Sequence, residues 1–267
     1  GSGTTTLNGA VSTTAAGGIS LTGTNLALNN TLTTTGGGTV TVNQSGTATL
    51  AAAGDIISDG AVSLTATGGI STAGDVITTD DDVTFASATT LTGPVSVTTG
   101  AGGAGNITFG STLNGAQDLT LLAGTGNVTF TGVVGGTTAL DDVILTSATN
   151  VTATTFSSAT LTQSAGSGTT TLNGAVSTTA AGGVSLTGNV QTVNANLTTT
   201  TGGPVTFTNA GLLTLNANVI SDGAVTQNGA GAVAITGPRT ISTTSDTVDF
   251  LRAVMLTGAG ATVAINT

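Results

Sequence analysis

Several residue types that carry chemistry are missing from this chain of 267 residues. It contains no cysteine, histidine, lysine, glutamate, tryptophan or tyrosine, and its net charge of −10 comes from twelve aspartates against two arginines. Without cysteine, disulfides and thiol chemistry are excluded. Without clustered basic residues, a nucleic-acid partner is excluded, because binding to phosphates needs Lys and Arg. No run of 18 apolar residues occurs, so we predict no membrane span.

The same absences argue against catalysis. General acid–base chemistry at neutral pH needs a group whose pKa suits the task, and only aspartates such as Asp141 and Asp142 are available. The two arginines, Arg239 and Arg252, stand 13 positions apart. We therefore predict that the chain is not an enzyme, with no catalytic residue and no cofactor-binding residue.

What the sequence does contain is repetition. Residues 4–23 recur at 169–188, 165 positions later, with Ile19 replaced by Val184 as the one difference. The phrase "ISDGAV" at 57–62 returns at 220–225. We interpret residues 1–165 as one β-solenoid module and 166–267 as a partial second copy, continuous with the first and cut from a longer protein.

A shorter period, of about 21 residues, lies inside each module. It is marked by triplets in which two apolar residues flank a polar one: Ile19/Leu21, Val40/Val42, Val62/Leu64, Val83/Phe85, Ile107/Phe109 and Val128/Phe130. Alternation with period 2, bounded by Gly and Asn, is a strand signal. We expect the flanking residues to point inward and the middle residues, Ser20, Thr41, Ser63, Thr84, Thr108 and Thr129, to point outward. Phe85, Phe109 and Phe130 should then form one aromatic column.

Each period holds two more apolar positions. One runs through Leu7, Leu28, Leu50, Ile70, Leu91 and Leu113, and the other through Val11, Leu32, Ile57, Ile77 and Val97. Three short strands per period predict a coil with three sides, in which each strand pairs in parallel with its equivalent one turn later. The fold class is thus an all-β, three-sided parallel β-helix of about 13 coils. Asparagines that follow the second strand, such as Asn8 and Asn29, are expected to stack into ladders.

Phrases such as "GGISLTG", "GNITFGSTLNGA" and "AGDVITTDDDVTF" resemble the coils of filamentous-haemagglutinin-like adhesins and related giant bacterial surface proteins. This resemblance covers essentially the whole chain. It implies a right-handed β-helix, export to the bacterial cell surface or the extracellular space, and a role in adhesion or surface structure.

Calcium is the one cofactor for which the sequence offers candidates. Asp80, Asp81 and Asp82 are consecutive, and Asp59 precedes Asp80 by one short period, so these carboxylates are expected to stack near one another. Hard cations favour such oxygen clusters. The alternative interpretation is that these aspartates lie in solvated turns and limit sideways association.

Two functions remain open from the sequence. The first is structural: a secreted tandem-repeat rod within a filament, stalk or surface matrix, self-associating end to end or laterally. The second is an adhesin shaft or binding module that recognises a glycan or a cell-surface receptor.

Overall fold

The computed structural model describes residues 2–267 and confirms the predicted all-β fold. Within that range all regular secondary structure is β-strand, and no helix is present. Parallel strands form a three-sheet solenoid of about 13 turns. The chain packs as two compact units, one ending at Leu140 and the other comprising Asp141–Thr267. Packing defines these units, whereas repetition defines the modules 1–165 and 166–267.

The strands of the first unit are short and follow one another around the coil. They are β1 (Thr4–Leu7), β2 (Val11–Thr13), β3 (Ile19–Gly23), β4 (Asn25–Leu28), β5 (Leu32–Thr34), β6 (Val40–Gln44), β7 (Ala48–Leu50), β8 (Ile56–Ser58), β9 (Val62–Ala66), β10 (Ile70–Thr72), β11 (Val76–Thr78), β12 (Val83–Phe85), β13 (Thr89–Leu91), β14 (Val95–Thr98), β15 (Ile107–Phe109), β16 (Leu113–Asn114), β17 (Leu119–Leu122) and β18 (Val128–Phe130).

Every third strand of this unit belongs to the same sheet. The first sheet orders β1-β4-β7-β10-β13-β16, the second β2-β5-β8-β11-β14-β17 and the third β3-β6-β9-β12-β15-β18. All pairs are parallel. The length of a coil varies, since Ile70 pairs with Thr89 in a short coil and Val83 pairs with Ile107 in a long one. Because the strands stay aligned, the corners between them absorb this variation.

The third sheet confirms the predicted alternation. Val40, Val42, Val62, Leu64, Val83, Phe85, Ile107, Phe109, Val128 and Phe130 are buried, while the residues between them are exposed or half-exposed. Ile19 and Leu21 are only half-buried, because they lie in the first coil and are covered by a neighbouring coil on one side.

The predicted aromatic column is present in the same sheet. The ring centroids of Phe85 and Phe109 lie 4.8 Å apart, and those of Phe109 and Phe130 lie 5.5 Å apart. Interplanar angles of 12° and 6° show parallel stacking. Such contacts add to the free energy gained by burial.

In the second sheet, two residues of the second predicted apolar column do not lie in the core. Ile57 and Ile77 point outward, with 41% and 39% of their surface exposed, and Ile56 and Val76 occupy the core instead. The sequence offers two adjacent apolar residues at both places, and a shift of one residue along a strand reverses the direction of its side chains.

The second unit repeats this architecture, and its first strand begins at Leu140, the last residue of the first unit. Its strands are β19 (Leu140–Ser147), β20 (Val151–Ala153), β21 (Phe156–Gln163), β22 (Thr169–Leu172), β23 (Val176–Thr178), β24 (Val184–Gly188), β25 (Val190–Val193), β26 (Leu197–Thr199), β27 (Val205–Asn209), β28 (Leu213–Leu215), β29 (Val219–Ile220), β30 (Val225–Gln227), β31 (Val233–Thr236), β32 (Arg239–Ser242), β33 (Val248–Phe250), β34 (Val254–Thr257) and β35 (Val263–Asn266).

In this unit the long strand β21 contributes to two sheets. Its first half pairs with β23 and its second half with β24. The ladders then run β23-β26-β29-β32-β35 and β24-β27-β30-β33, and the third runs β20-β22-β25-β28-β31-β34. All of them are parallel, so each coil of this unit is held to the next on three sides.

Candidate functional site: the corners of the coils

In both units, polar side chains at the corners, where the chain passes from one sheet to the next, form hydrogen bonds with the neighbouring coil. The recurring "ISDG" phrase forms one such corner. The Ser58 hydroxyl donates to the Gly38 carbonyl at 3.0 Å, and a carboxylate oxygen of Asp59 accepts the Gly37 N–H at 2.7 Å. A Cβ on Gly60 would lie 2.7 Å from the Gly37 carbonyl oxygen, so only glycine fits there.

The second unit reproduces this corner. Ser221 donates to the Gly203 carbonyl at 3.0 Å, and Asp222 accepts the Gly202 N–H at 2.7 Å. This N–H, followed by the hydroxyl of Thr244, holds the pKa of Asp222 below its ordinary value of 3.8. The recurrence of the phrase therefore has a structural cause: its serine and aspartate satisfy backbone groups of the previous coil.

The calcium candidates lie in two successive coils, at the corner between the second and third sheets. Register aligns Ser58 with Thr78, so Asp59 stands opposite Thr79 and one position away from Asp80, which corrects the expected stacking. Asp80 adopts a left-handed backbone with φ of 67°. Asp82 accepts hydrogen bonds from the backbone and side-chain nitrogens of Asn106 at 2.7 and 2.9 Å.

The backbone carbonyl of Asp81 accepts the hydroxyl of Thr78. Among the described residues, no group of three or more acidic side chains is placed to hold a metal ion. Calcium binding by Asp59, Asp80, Asp81 and Asp82 stays a prediction.

The expected asparagine ladders are confirmed. The side-chain amide of Asn29 donates to the carbonyl oxygen of Asn8 at 2.8 Å. In the second unit, Asn194 donates to Asn173 at 2.9 Å, and Asn216 donates to Asn194 at 2.8 Å. These bonds tie successive coils together outside the backbone ladders.

A second asparagine column follows the first in the second unit. The side-chain oxygen of Asn196 accepts the backbone N–H of Asn218 at 3.2 Å, and that of Asn218 accepts the backbone N–H of Thr240 at 2.9 Å. Both residues use the carbonyl oxygen of the side chain, so their NH₂ groups remain available as donors on the surface.

An open groove of about 480 Å³ lies between the two columns. Eight residues line it: Ala175, Asn194, Ala195, Asn196, Asn216, Ala217, Asn218 and Arg239. Small alanines form its floor because the repeated Asn-Ala-Asn phrases, at 194–196 and 216–218, stack at one corner. We call this feature the asparagine groove. The groove was not predicted from the sequence, although the recurrence of Asn-Ala-Asn one coil apart was the available signal.

Arg239 closes one end of the asparagine groove. It is half-buried, one of its terminal guanidinium nitrogens donates to the Pro238 carbonyl at 2.7 Å, and its Nε is buried without a hydrogen-bond partner. None of the eight lining residues is acidic. The groove therefore presents hydrogen-bond donors and a positive charge on a chain whose net charge is −10.

Comparison with known proteins leaves the family open. Neither a scan against protein-family models nor searches of curated proteins and solved structures found a match to the chain. Among residues 2–267 there is no helix with the length and apolar character needed to cross a bilayer.

Proposed function

We propose that the chain is a structural, non-enzymatic element of a bacterial extracellular fibre, stalk or surface matrix, of the filamentous-haemagglutinin-like type. The observation that carries this proposal is the set of three parallel ladders that hold every coil of the first unit to the next. Because each coil is bonded on three sides, bending or sliding one coil would break several backbone hydrogen bonds together.

Features of the second unit support the same role. Its three ladders are reinforced at the corners by asparagine side chains that bridge successive coils. Hydroxyl-bearing residues such as Ser185 and Thr206 lie on the outer surface of its strands and keep that surface polar. In this role the chain serves as a long, rigid rod. It associates with further coils end to end or laterally within the fibre.

Immunogold electron microscopy tests this proposal. Antibodies raised against the purified chain should label filaments or a surface layer on intact cells that produce the protein. Diffraction from isolated filaments should contain an axial spacing of about 4.8 Å, the distance between paired strands. Label confined to the cell interior, or to isolated compact particles, would contradict the proposal.

A further inference from the structure

The asparagine groove has the chemistry of a binding site for an anionic ligand. Its two ends differ, because one carries the guanidinium of Arg239 and the other has no charged lining residue. Arg239 is one of only two basic residues in the chain, and the other, Arg252, does not line this groove. A guanidinium presents donors in a planar fork that matches a carboxylate.

The donors in the groove are arranged in rows. The side-chain oxygens of Asn196 and Asn218 are occupied by backbone N–H groups of the next coil, which turns each amide so that NH₂ is its remaining polar group. Successive coils place these NH₂ groups about 4.8 Å apart. A ligand with regularly spaced acceptors fits such a row better than a single small ion does.

The floor of the groove adds an apolar contact. Ala195 is half-buried, and Ala217 retains 8% of its surface exposed, so both offer methyl groups between the polar columns. A sugar ring has hydroxyl groups at its edge and C–H groups on its face. Rows of amide donors with methyl groups between them complement both parts.

We propose that the asparagine groove binds an acidic oligosaccharide, with a uronate carboxylate at Arg239 and sugar hydroxyls along Asn196 and Asn218. The site needs no change in the coils, because its corner residues are already held by hydrogen bonds between successive coils. It goes beyond the structural role, since a rod can form with or without a ligand at this corner.

Nuclear magnetic resonance of the whole ¹⁵N-labelled chain tests the assignment. Titration with trigalacturonate should shift the side-chain NH₂ signals of Asn196 and Asn218 and the Nε–H signal of Arg239. The methyl ester of the same trisaccharide, which lacks the charge, should bind at least about tenfold more weakly, since a charge-assisted hydrogen bond is lost. Acetate at equal carboxylate concentration should leave the asparagine signals in place.

Two matched variants complete the experiment. Arg239→Gln should weaken trigalacturonate binding at least about tenfold, whereas Arg252→Gln, which changes the net charge equally, should leave it within about twofold. Asn218→Asp keeps the oxygen that accepts the Thr240 N–H but removes the donor, so it should also weaken binding. Unchanged spectra with trigalacturonate, equal losses in both arginine variants, or equal shifts with acetate would overturn the proposal. None of these outcomes bears on whether the protein forms filaments.

Discussion

At the scale of single residues, Thr201 shows how the second unit tolerates a substitution at a turn. Its φ of 57° lies in the left-handed region, which a β-branched side chain disfavours. Gly36 occupies the equivalent position of the first module, with φ of 66°. The turn geometry is thus kept by the surrounding coil, and the threonine is strained there.

Replacing Thr201 with glycine should therefore stabilise the protein. We expect Thr201→Gly to raise the free energy of unfolding by about 1 kcal/mol, because the left-handed penalty is removed. The reciprocal change, Gly36→Thr, is the matched control and should lower it by a similar or larger amount. Chemical denaturation followed by circular dichroism measures both. A destabilised Thr201→Gly protein would mean that the threonine side chain makes a contact worth more than the strain.

Asp222 gives a second prediction at this scale. Hydrogen bonds from Gly202 and Thr244 lower the folded-state pKa of Asp222 below 3.8. Between the folded and unfolded pKa values the unfolded chain binds more protons, so stability rises with pH there. The contribution of Asp222 is fully present above about pH 4 and is lost as the pH falls through the folded pKa.

The variant Asp222→Asn keeps an acceptor oxygen but cannot ionise. We expect it to be less stable than the parent at about pH 6 and to approach the parent as the pH falls through the folded pKa of Asp222, because both side chains are then neutral. Thermal melts of the two proteins across this range measure the difference. The other eleven aspartates are shared, so their titration cancels in the comparison. A stability difference that does not change with pH would rule out this role of the carboxylate.

At the scale of elements, the phenylalanine column of β12, β15 and β18 places three large buried side chains next to one another. Phe109 is the middle ring, with 2% of its surface exposed, and it stacks on Phe85 and Phe130. Phe109→Ala should cost about 3–5 kcal/mol, because it removes a large buried side chain and leaves a cavity. Equilibrium denaturation provides the measurement.

Thr108→Ala is the control for this prediction. Thr108 neighbours Phe109 in the same strand but lies on the outer side, half-exposed. Its replacement should cost less than about 1 kcal/mol, the range of strand propensities. Equal losses in the two variants would show that the effect comes from the strand rather than from the core.

The third sheet could be predicted from sequence because its inward residues are separated by polar ones. In β12 and β15 the order Val-Thr-Phe and Ile-Thr-Phe leaves one register that buries the apolar pair. The inward-facing residues of the second sheet could not be predicted in this way. Ile56-Ile57 and Val76-Ile77 satisfy either direction, and only the packing of the neighbouring coil selects Ile56 and Val76.

The corners were harder to predict for a related reason. The average period of the repeat places Asp59 opposite Asp80, but β8 and β11 pair Ser58 with Thr78, so the alignment moves by one residue. Arg239 was not predicted to line a groove, because this depends on which corner residues of successive coils lie next to one another. The asparagine ladders were predicted because each asparagine directly follows a strand of fixed register.

At the scale of the whole molecule, a solenoid differs from a globular fold in how it tolerates deletion. Each coil contacts only its neighbours, so removal of one complete coil leaves the remaining contacts compatible. Residues 40–61 make up such a coil, because Val40 and Val62 occupy equivalent places in the third sheet. After deletion, β9 can pair with β3, β10 with β4 and β11 with β5. The side chains that point inward in the intact chain would still point inward.

We therefore expect the chain that lacks residues 40–61 to fold. Its circular dichroism should remain that of a β protein, and its denaturation should keep a cooperative transition with a slightly smaller dependence on denaturant, since less surface is exposed on unfolding. The control deletion removes residues 40–50, which takes away β6 and β7 but leaves β8. That chain brings β8, a strand of the second sheet, to the side that the third sheet needs. Every following strand therefore arrives two sides early, and the inward positions no longer match. If both deletions fold equally well, coil register is not what specifies this structure; if neither folds, the coils are more strongly coupled than nearest-neighbour contacts allow.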